Sequence, residues 1–307
     1  MVVCGYCRRP LRCRSDEERE WMERLSRDEV CGAFTPAGDS ERRCDHCREE
    51  AYCSSACKDV AWTTFHRRLC PQQPHAEVSE EQQEALHQLW KEFRGVFGEL
   101  PLLVGKLIAN VLTQLDDGKS PEQAVDSFEH FVVYPREAIK AEDPVAYDQL
   151  VRMAHITNRA LFDPRIPQLF EESVYLRLAG IVLLNSLGID FSCPVLNTPT
   201  QADAEQIKMM EFDGAVVCPI LSSLNHSCQP NVKSTLRSQA QARGDSCRVS
   251  LIAKQDVEPN EELCISYVPL SWTRATRQTT LLKNYFFHCQ CERCVSEAAE
   301  AEDAINM

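Results

Sequence analysis

Leu86, Leu89, Trp90 and Phe93 recur at helical spacing behind Ser79-Glu80-Glu81-Gln82. A Ser followed three residues later by Gln is capping-box spacing, and acids in a first turn suit a helix N-terminus. The pattern therefore predicts a helix over 79–94. Leu103, Leu107, Val111 and Leu115 repeat the period over 102–115, which stops at Asp116-Asp117-Gly118. Ser120-Pro121 opens a further helix with Pro in its first turn. Segments 144–162 and 172–187 read as two more, and most of their apolar positions as the core of a helical bundle. From 215 the texture changes. AVVCPIL, CRVSLIAKQDV and ELCISYV are short runs rich in Val, Ile and Cys, bounded by turn residues, and they predict strands. Glu258-Pro259-Asn260-Glu261 reads as a turn, with Asn suited to a positive φ. The tail SEAAEAEDAINM is polar and reads as frayed or a short helix.

Composition narrows this picture. A chain of 307 residues, 44% hydrophobic, holds one large domain or two moderate ones. No apolar run approaches the roughly eighteen residues of a membrane span. The longest, Ala179–Leu187, reads as a buried helix. The start MVVCGYCRRPL lacks the apolar core of a signal peptide, so an intracellular chain, cytoplasmic or nuclear, is expected. The net charge of −13 disfavours direct nucleic-acid binding, which usually shows a basic footprint.

Seventeen cysteines then need an explanation, and in a reducing compartment spaced cysteines point to metal. Nine fall within residues 4–70 and none between 71 and 192. The head reads Cys4-x2-Cys7, a long gap, Cys44-x2-Cys47-x5-Cys53-x3-Cys57, then His66-x3-Cys70. Seven thiols and one imidazole suffice for two tetrahedral zinc sites. Cys13 and Cys31 in the gap are read as non-ligands, His46 as a surface side chain, and Asp16–Leu25 as a helix. At the other end, Cys289-x-Cys291-x2-Cys294 supplies three thiolates and needs a fourth. Cys228 is a strong candidate. Cys193, Cys218, Cys247 and Cys264 compete on count, but they sit singly, mostly in hydrophobic runs, as buried free cysteines do.

Residues 44–70 resemble the MYND zinc finger. Asn225-His226-Ser227-Cys228-x-Pro230-Asn231, the run ending Cys264-Ile265-Ser266-Tyr267, and the closing Tyr285-x-Phe287-x-Cys289-x-Cys291-x2-Cys294 resemble the C-terminal half of a SET domain with its post-SET zinc site. The chain is thus similar to the SET- and MYND-domain protein-lysine methyltransferases. It resembles in particular their branch called SET and MYND domain-containing protein 5, which shares the long gap and the short C-terminus. The resemblance implies an α+β fold: a SET-domain β-sheet core with an inserted helical region, an N-terminal MYND finger and a C-terminal post-SET zinc site. The expected divisions are 1–75 for the finger, 76–195 for the helical insertion, 196–270 for the C-terminal half of the SET core, and 271–307 for the post-SET segment and tail.

The same resemblance implies S-adenosylmethionine (SAM) and three zinc ions. One ion would take Cys4, Cys7, Cys53 and Cys57, a second Cys44, Cys47, His66 and Cys70, and a third Cys228, Cys289, Cys291 and Cys294. Asn185, Asn225, His226 and Phe287 would contact SAM, Tyr267 would lie beside the transferred methyl, and Tyr285 would line the lysine channel. Each has a plainer reading: Tyr267 as a packed strand tyrosine, Asn185 as a helix-end residue, Phe287 as core. A Cys228–His226 nucleophile pair is disfavoured because nothing in the sequence orients the imidazole. The implied activity is methylation of a lysine on a histone or other protein, with Pro-rich peptide binding by the finger as a further role. The family carries a Gly-x-Gly segment ahead of its finger as one wall of the SAM pocket, and nothing upstream of Cys4 matches it. A catalytically inactive zinc-binding interaction protein, or a fragment of an active enzyme, is therefore the rival expectation. A RING-type ubiquitin ligase would leave the tail motifs unexplained.

Overall fold

Short-range signals in the sequence set most of the helices. In a computed structural model of the chain, residues 42–52, 54–72, 79–93, 99–195, 208–218, 220–237 and 248–305 are described. They divide into two units, one running to Val217, the other taking Cys218–Leu236 and Val249 onward.

In the first unit, the first strand among the described residues, β1 (Arg42–Arg43), pairs antiparallel to β2 (Ala51–Tyr52). Helix α1 (Ser55–Ala61) is capped by Ser54, whose side chain accepts from Cys57 N at 3.1 Å. The chain continues through a π turn, Trp62–His66, into α2 (Arg67–Leu69). Helix α3 (Glu80–Phe93) carries the expected capping box: Ser79 N donates to Gln82 Oε1 at 3.3 Å, and Gln82 N donates to Ser79 Oγ at 3.2 Å. Its Leu86, Leu89, Trp90 and Phe93 are all buried, and each contributes about 1.5–3 kcal/mol of apolar burial.

Helix α4 (Glu99–Asp116) packs against the π turn, α2, α3 and the later helices, so it is the spine of this unit. The row sent inward agrees with expectation only at Val111 and Leu115. Val104, Ile108, Val111, Leu112 and Leu115 are buried, while Leu103 and Leu107 are only partly so. A helix apolar on most of its circumference does not reveal by period alone which row is central. It ends at Gly118, whose φ of 88° only glycine adopts without cost.

Ser120 and Gln123 form a second capping box on α5 (Pro121–Glu129). Helices α6 (Arg136–Glu142), α7 (Pro144–Leu161) and α8 (Glu172–Asn185) follow. Gly180 lets the 131–135 segment lie directly on α8. Tyr134 N donates to Gly180 O at 3.1 Å, and a Cβ at 180 would sit 2.4 Å from Tyr134 O. The head helices are tied to this bundle by Trp90 Nε1 donating to Leu69 O at 2.6 Å. Ion pairs from Arg67 and Arg68 to Asp117 and Asp116 add to the tie.

The helix expected through 187 stops at Asn185 and passes straight into β3 (Ser186–Val195). Ser-Leu-Gly-Ile-Asp-Phe-Ser over 186–192 alternates strictly, the period of a strand rather than a helix. β3 pairs antiparallel with β4 (Lys208–Val217) in the register Ser186↔Val217 to Val195↔Lys208. Among the described residues of AVVCPIL, Ala215–Val217 belong to a strand, and a 3-10 turn forms at Leu221–Ser223.

In the second unit β5 (Asn225–His226) pairs parallel with β8 (Cys264–Ile265), with Asn225 opposite Cys264 and His226 opposite Ile265. β6 (Val232–Arg237) neighbours β7 (Arg248–Ala253). Among the described residues the strands make four two-stranded ladders. Asn260 has the expected positive φ, 69°. Asn231 staples the β5–β8 pair: its Oδ1 accepts from Cys264 N at 2.9 Å and its Nδ2 donates to Glu262 O at 2.9 Å. Two helices close the unit, α9 (Arg274–Tyr285), capped by Thr273, and α10 (Glu292–Ile305), so most of the tail is helical.

Candidate active site and metal centres

Cys44 and Cys47 lie on the turn joining β1 to β2, which closes by Cys44 N donating to Glu50 O at 3.0 Å. His66 ends the π turn and Cys70 follows α2. The widened turn resets the helical phase just before His66, and such bulges recur at functional sites. The ligand atoms of Cys44, Cys47, His66 and Cys70 all lie within 4.8 Å of one another, and all four residues are buried. Cys47 Sγ is 3.5 Å from His66 Nε2, and Cys44 Sγ is 3.9 Å from Cys70 Sγ. Hydrogen bonding from Cys47 and Cys70 pulls the Cys44 thiol down, while bonding to Cys44 and Cys47 pushes the Cys70 thiol up. Burial opposes a charged His66 ring, yet its bonds to Cys44 and Cys47 outweigh that and raise it to about 9. Three soft sulfurs and an imidazole, closed off from solvent, could bind zinc. Cys57 is also buried, on α1; Cys4, Cys7 and Cys53, as well as Cys13, Cys31 and the 16–25 helix, lie outside the described residues. His46 is exposed, as expected, and stacks on Trp62 at 4.9 Å.

The second cluster joins Cys228, just past β5, to Cys289 and Cys291 on the α9–α10 loop and Cys294 on α10. These sulfurs also lie within 4.8 Å of one another, with Cys228 at 3.5 Å from Cys294 and 3.9 Å from Cys289. Gln278 pins the loop, donating to Cys289 O at 2.7 Å and accepting from Cys289 N at 3.0 Å. Burial pushes the Cys228 thiol up to about 12. At Cys291 burial is outweighed by backbone N–H bonds from Cys294 and Cys228, which bring the thiol down to about 7. Four sulfurs with no open position could bind zinc in a closed, structural manner. Cys218 and Cys264, half-buried, are not among the grouped ligands, and the side chains of Cys193 and Cys247 lie outside the described residues.

No spacing or motif points to Arg277, which is fully buried and whose Nε donates to Cys228 Sγ at 3.2 Å. An arginine in a polar helical run looks like a solvated one. Gln278 escaped for a similar reason: its partners are the backbone groups of Cys289, which no spacing marks.

Beside Cys228 four rings gather. Tyr267 lies 4.8 Å from Tyr285, 5.2 Å from His226 and 6.5 Å from Phe287 between ring centroids, and His226 lies 6.0 Å from Phe287. Phe286, at φ 62°, ends α9 in a left-handed turn between Tyr285 and Phe287. Tyr267 N donates to His226 Nδ1 at 2.9 Å, and Tyr267 OH donates to Leu224 O at 2.5 Å. Burial, reinforced by the Tyr285 neighbour, raises the Tyr267 phenol to about 12, so it stays neutral. Burial and the Arg277 charge lower His226 to about 4. The neutral ring, accepting at Nδ1, carries its proton on Nε2, 3.3 Å from Cys228 Sγ. The structure therefore supplies the orienting partner that the sequence lacked for a Cys228–His226 pair. It orients the imidazole as a donor to sulfur, not as a base toward it. Asn225 is exposed and donates to Glu262 Oε1 at 2.6 Å. Asn185, in the first unit, is buried and donates to Val132 O at 2.7 Å and Ile181 O at 2.8 Å.

The chain is similar to several known proteins. Mouse protein-lysine N-trimethyltransferase SMYD5 is 24% identical over 336 residues, covering 96% of this chain and 76% of that protein. Human histone-lysine N-methyltransferase SMYD3 is 27% identical over 301 residues, covering 94% of this chain and 57% of that protein. Arabidopsis thaliana histone-lysine N-methyltransferase ATXR2 is 24% identical over 301 residues, covering 82% of this chain and 62% of that protein. The model of the SET domain matches residues 2–268, a span holding the Asn225–Asn231 motif and Tyr267, and on that match the chain belongs to the SET domain family.

Proposed function

We propose that this chain is a SAM-dependent protein-lysine N-methyltransferase acting on a lysine of a histone or another protein. The observation that carries it is the Tyr267 site, with a neutral phenol held to Leu224 O and walled by Tyr285, Phe287 and His226, in a SET-family chain. SAM, when bound, supplies an electrophilic sulfonium methyl. The half-buried faces of Phe287 and His226 suit a flat purine, and the exposed amide of Asn225 offers polar contacts beside them. Tyr267 and Tyr285, 4.8 Å apart, present aromatic walls that fit the stem of a lysine and attract its ammonium. The amine must shed its proton and point its lone pair along the line of transfer, so positioning in a water-poor site carries most of the work. The Tyr267 hydrogen bond to Leu224 O fixes that geometry, and its high pKa keeps the phenol a donor across the physiological range.

In this reading the two described clusters are a MYND-type zinc site and a post-SET zinc site, and Cys4, Cys7, Cys53 and Cys57 complete a third. The test is transfer of labelled methyl from SAM to histone and whole-protein substrates by the zinc-loaded chain. Labelled lysine supports the proposal. A folded, zinc-loaded chain that neither binds SAM nor labels lysine sinks it and leaves a zinc-binding interaction protein.

A further inference from the structure

Arginine is almost never fully buried unless it is paired. Arg277 is 0% exposed, and its guanidinium is shared between two sulfurs of one cluster, a carboxylate and a carbonyl. Nε donates to Cys228 Sγ at 3.2 Å, and Nη2 reaches Cys294 Sγ at 3.9 Å and Glu297 Oε2 at 2.6 Å. Nη1 donates to Trp272 O at 2.6 Å. Glu297 is itself held by Arg293 Nε at 2.8 Å. A divalent cation on four thiolates leaves a net double negative charge, which is costly to bury without a counter-charge. Arg277 supplies one, at two of the four sulfurs. The Glu297 carboxylate fixes the guanidinium plane without touching the sulfurs.

We infer that Arg277 is a positioning residue for the four-cysteine metal site: it offsets part of the thiolate cluster's charge, orients Cys228 and Cys294, and retains the ion. This rests on the zinc reading of that cluster. The role predicts an effect of charge and N–H donation, separate from the space the side chain fills. Lys and Met are comparable in length, but only Lys keeps the charge and a donor.

The experiment loads the full chain with cobalt(II) and follows its thiolate-to-metal charge-transfer bands, then measures retention of cobalt and zinc against a chelator. Cys228→Ser identifies the bands belonging to this site, and the Cys44–Cys47–His66–Cys70 cluster serves as internal reference. Arg277→Met is expected to weaken retention about 10–100-fold, the usual cost of losing an outer partner of a metal ligand. It is also expected to shift the band to lower energy. Arg277→Lys should restore most of both. Equal behaviour of Lys and Met, or a parent-like Met variant, overturns the inference while leaving the metal site standing. No Cys228-dependent bands in the parent overturns the metal reading and the inference with it. If Arg277→Met does not fold, Glu297→Gln decides: a smaller loss in the same direction supports the role, and parent-like retention refutes it.

Discussion

At the scale of single residues, Cys228 stands where a four-cysteine cluster and an aromatic site meet. Its sulfur lies against Cys289 and Cys294 and receives His226 Nε2–H, while the same imidazole accepts from Tyr267 N. Replacing Cys228 with Ser should lower zinc content by about one ion per chain, measured by elemental analysis, since one tetrahedral site loses a ligand. Content equal to the parent would refute the shared site. The protons matter too. Without a cation the Cys228 thiol, near 12, and the His66 ring, near 9, both hold protons at neutral pH. An ion must displace them, so apparent zinc affinity should rise with pH between about 6 and 8 and fall on acidification. A pH-independent chelator competition would contradict this. Tyr267→Phe removes the bond to Leu224 O and should cut methyl transfer about 100-fold while SAM affinity holds, a transition-state effect. The grouped cysteines were legible because Cys-x2-Cys and Cys-x-Cys spacings turn the chain so that their thiols can face one point. Arg277 was not, because its meaning comes only from the sulfurs the fold brings to it.

At the scale of elements, what the sequence makes plain is what is settled locally. The caps at Ser79 and Ser120 and the positive φ at Asn260 each depend on neighbours within a few residues, and each is found where expected. Readings that depend on tertiary partners fared differently. The inward row of α4 is chosen by the helices packed around it, and α8 yields to β3 because β4 is there to pair with it. Helix α6 has no side-chain cap at Pro135, so nothing local announced it. Gly180 belongs to this second class. Its need for a bare Cα comes from Tyr134 O, distant in sequence, so Gly180→Ala should destabilise the first unit. The expected cost is about 1–3 kcal/mol, the usual penalty of forcing atoms into a packed contact. Denaturant unfolding gives the value, and a parent-like midpoint would mean that the 131–135 segment shifts freely.

At the scale of the whole molecule, the SET-domain match over residues 2–268 is what joins local chemistry to function. The motif around Asn225–Asn231, the Tyr267 strand and the closing cysteines are far apart in sequence, yet the second unit assembles them into one site. Among the described residues no helix is long and apolar enough to cross a membrane. The family was legible because its motifs are short and chemically constrained; the strand pairings were not, because they form between segments far apart in the chain. On this reading the assembled site takes SAM. Calorimetric titration of SAM into the folded, zinc-loaded chain decides it: saturable binding at about one SAM per chain is expected, and absence of binding in a sample with verified zinc and fold would overturn it.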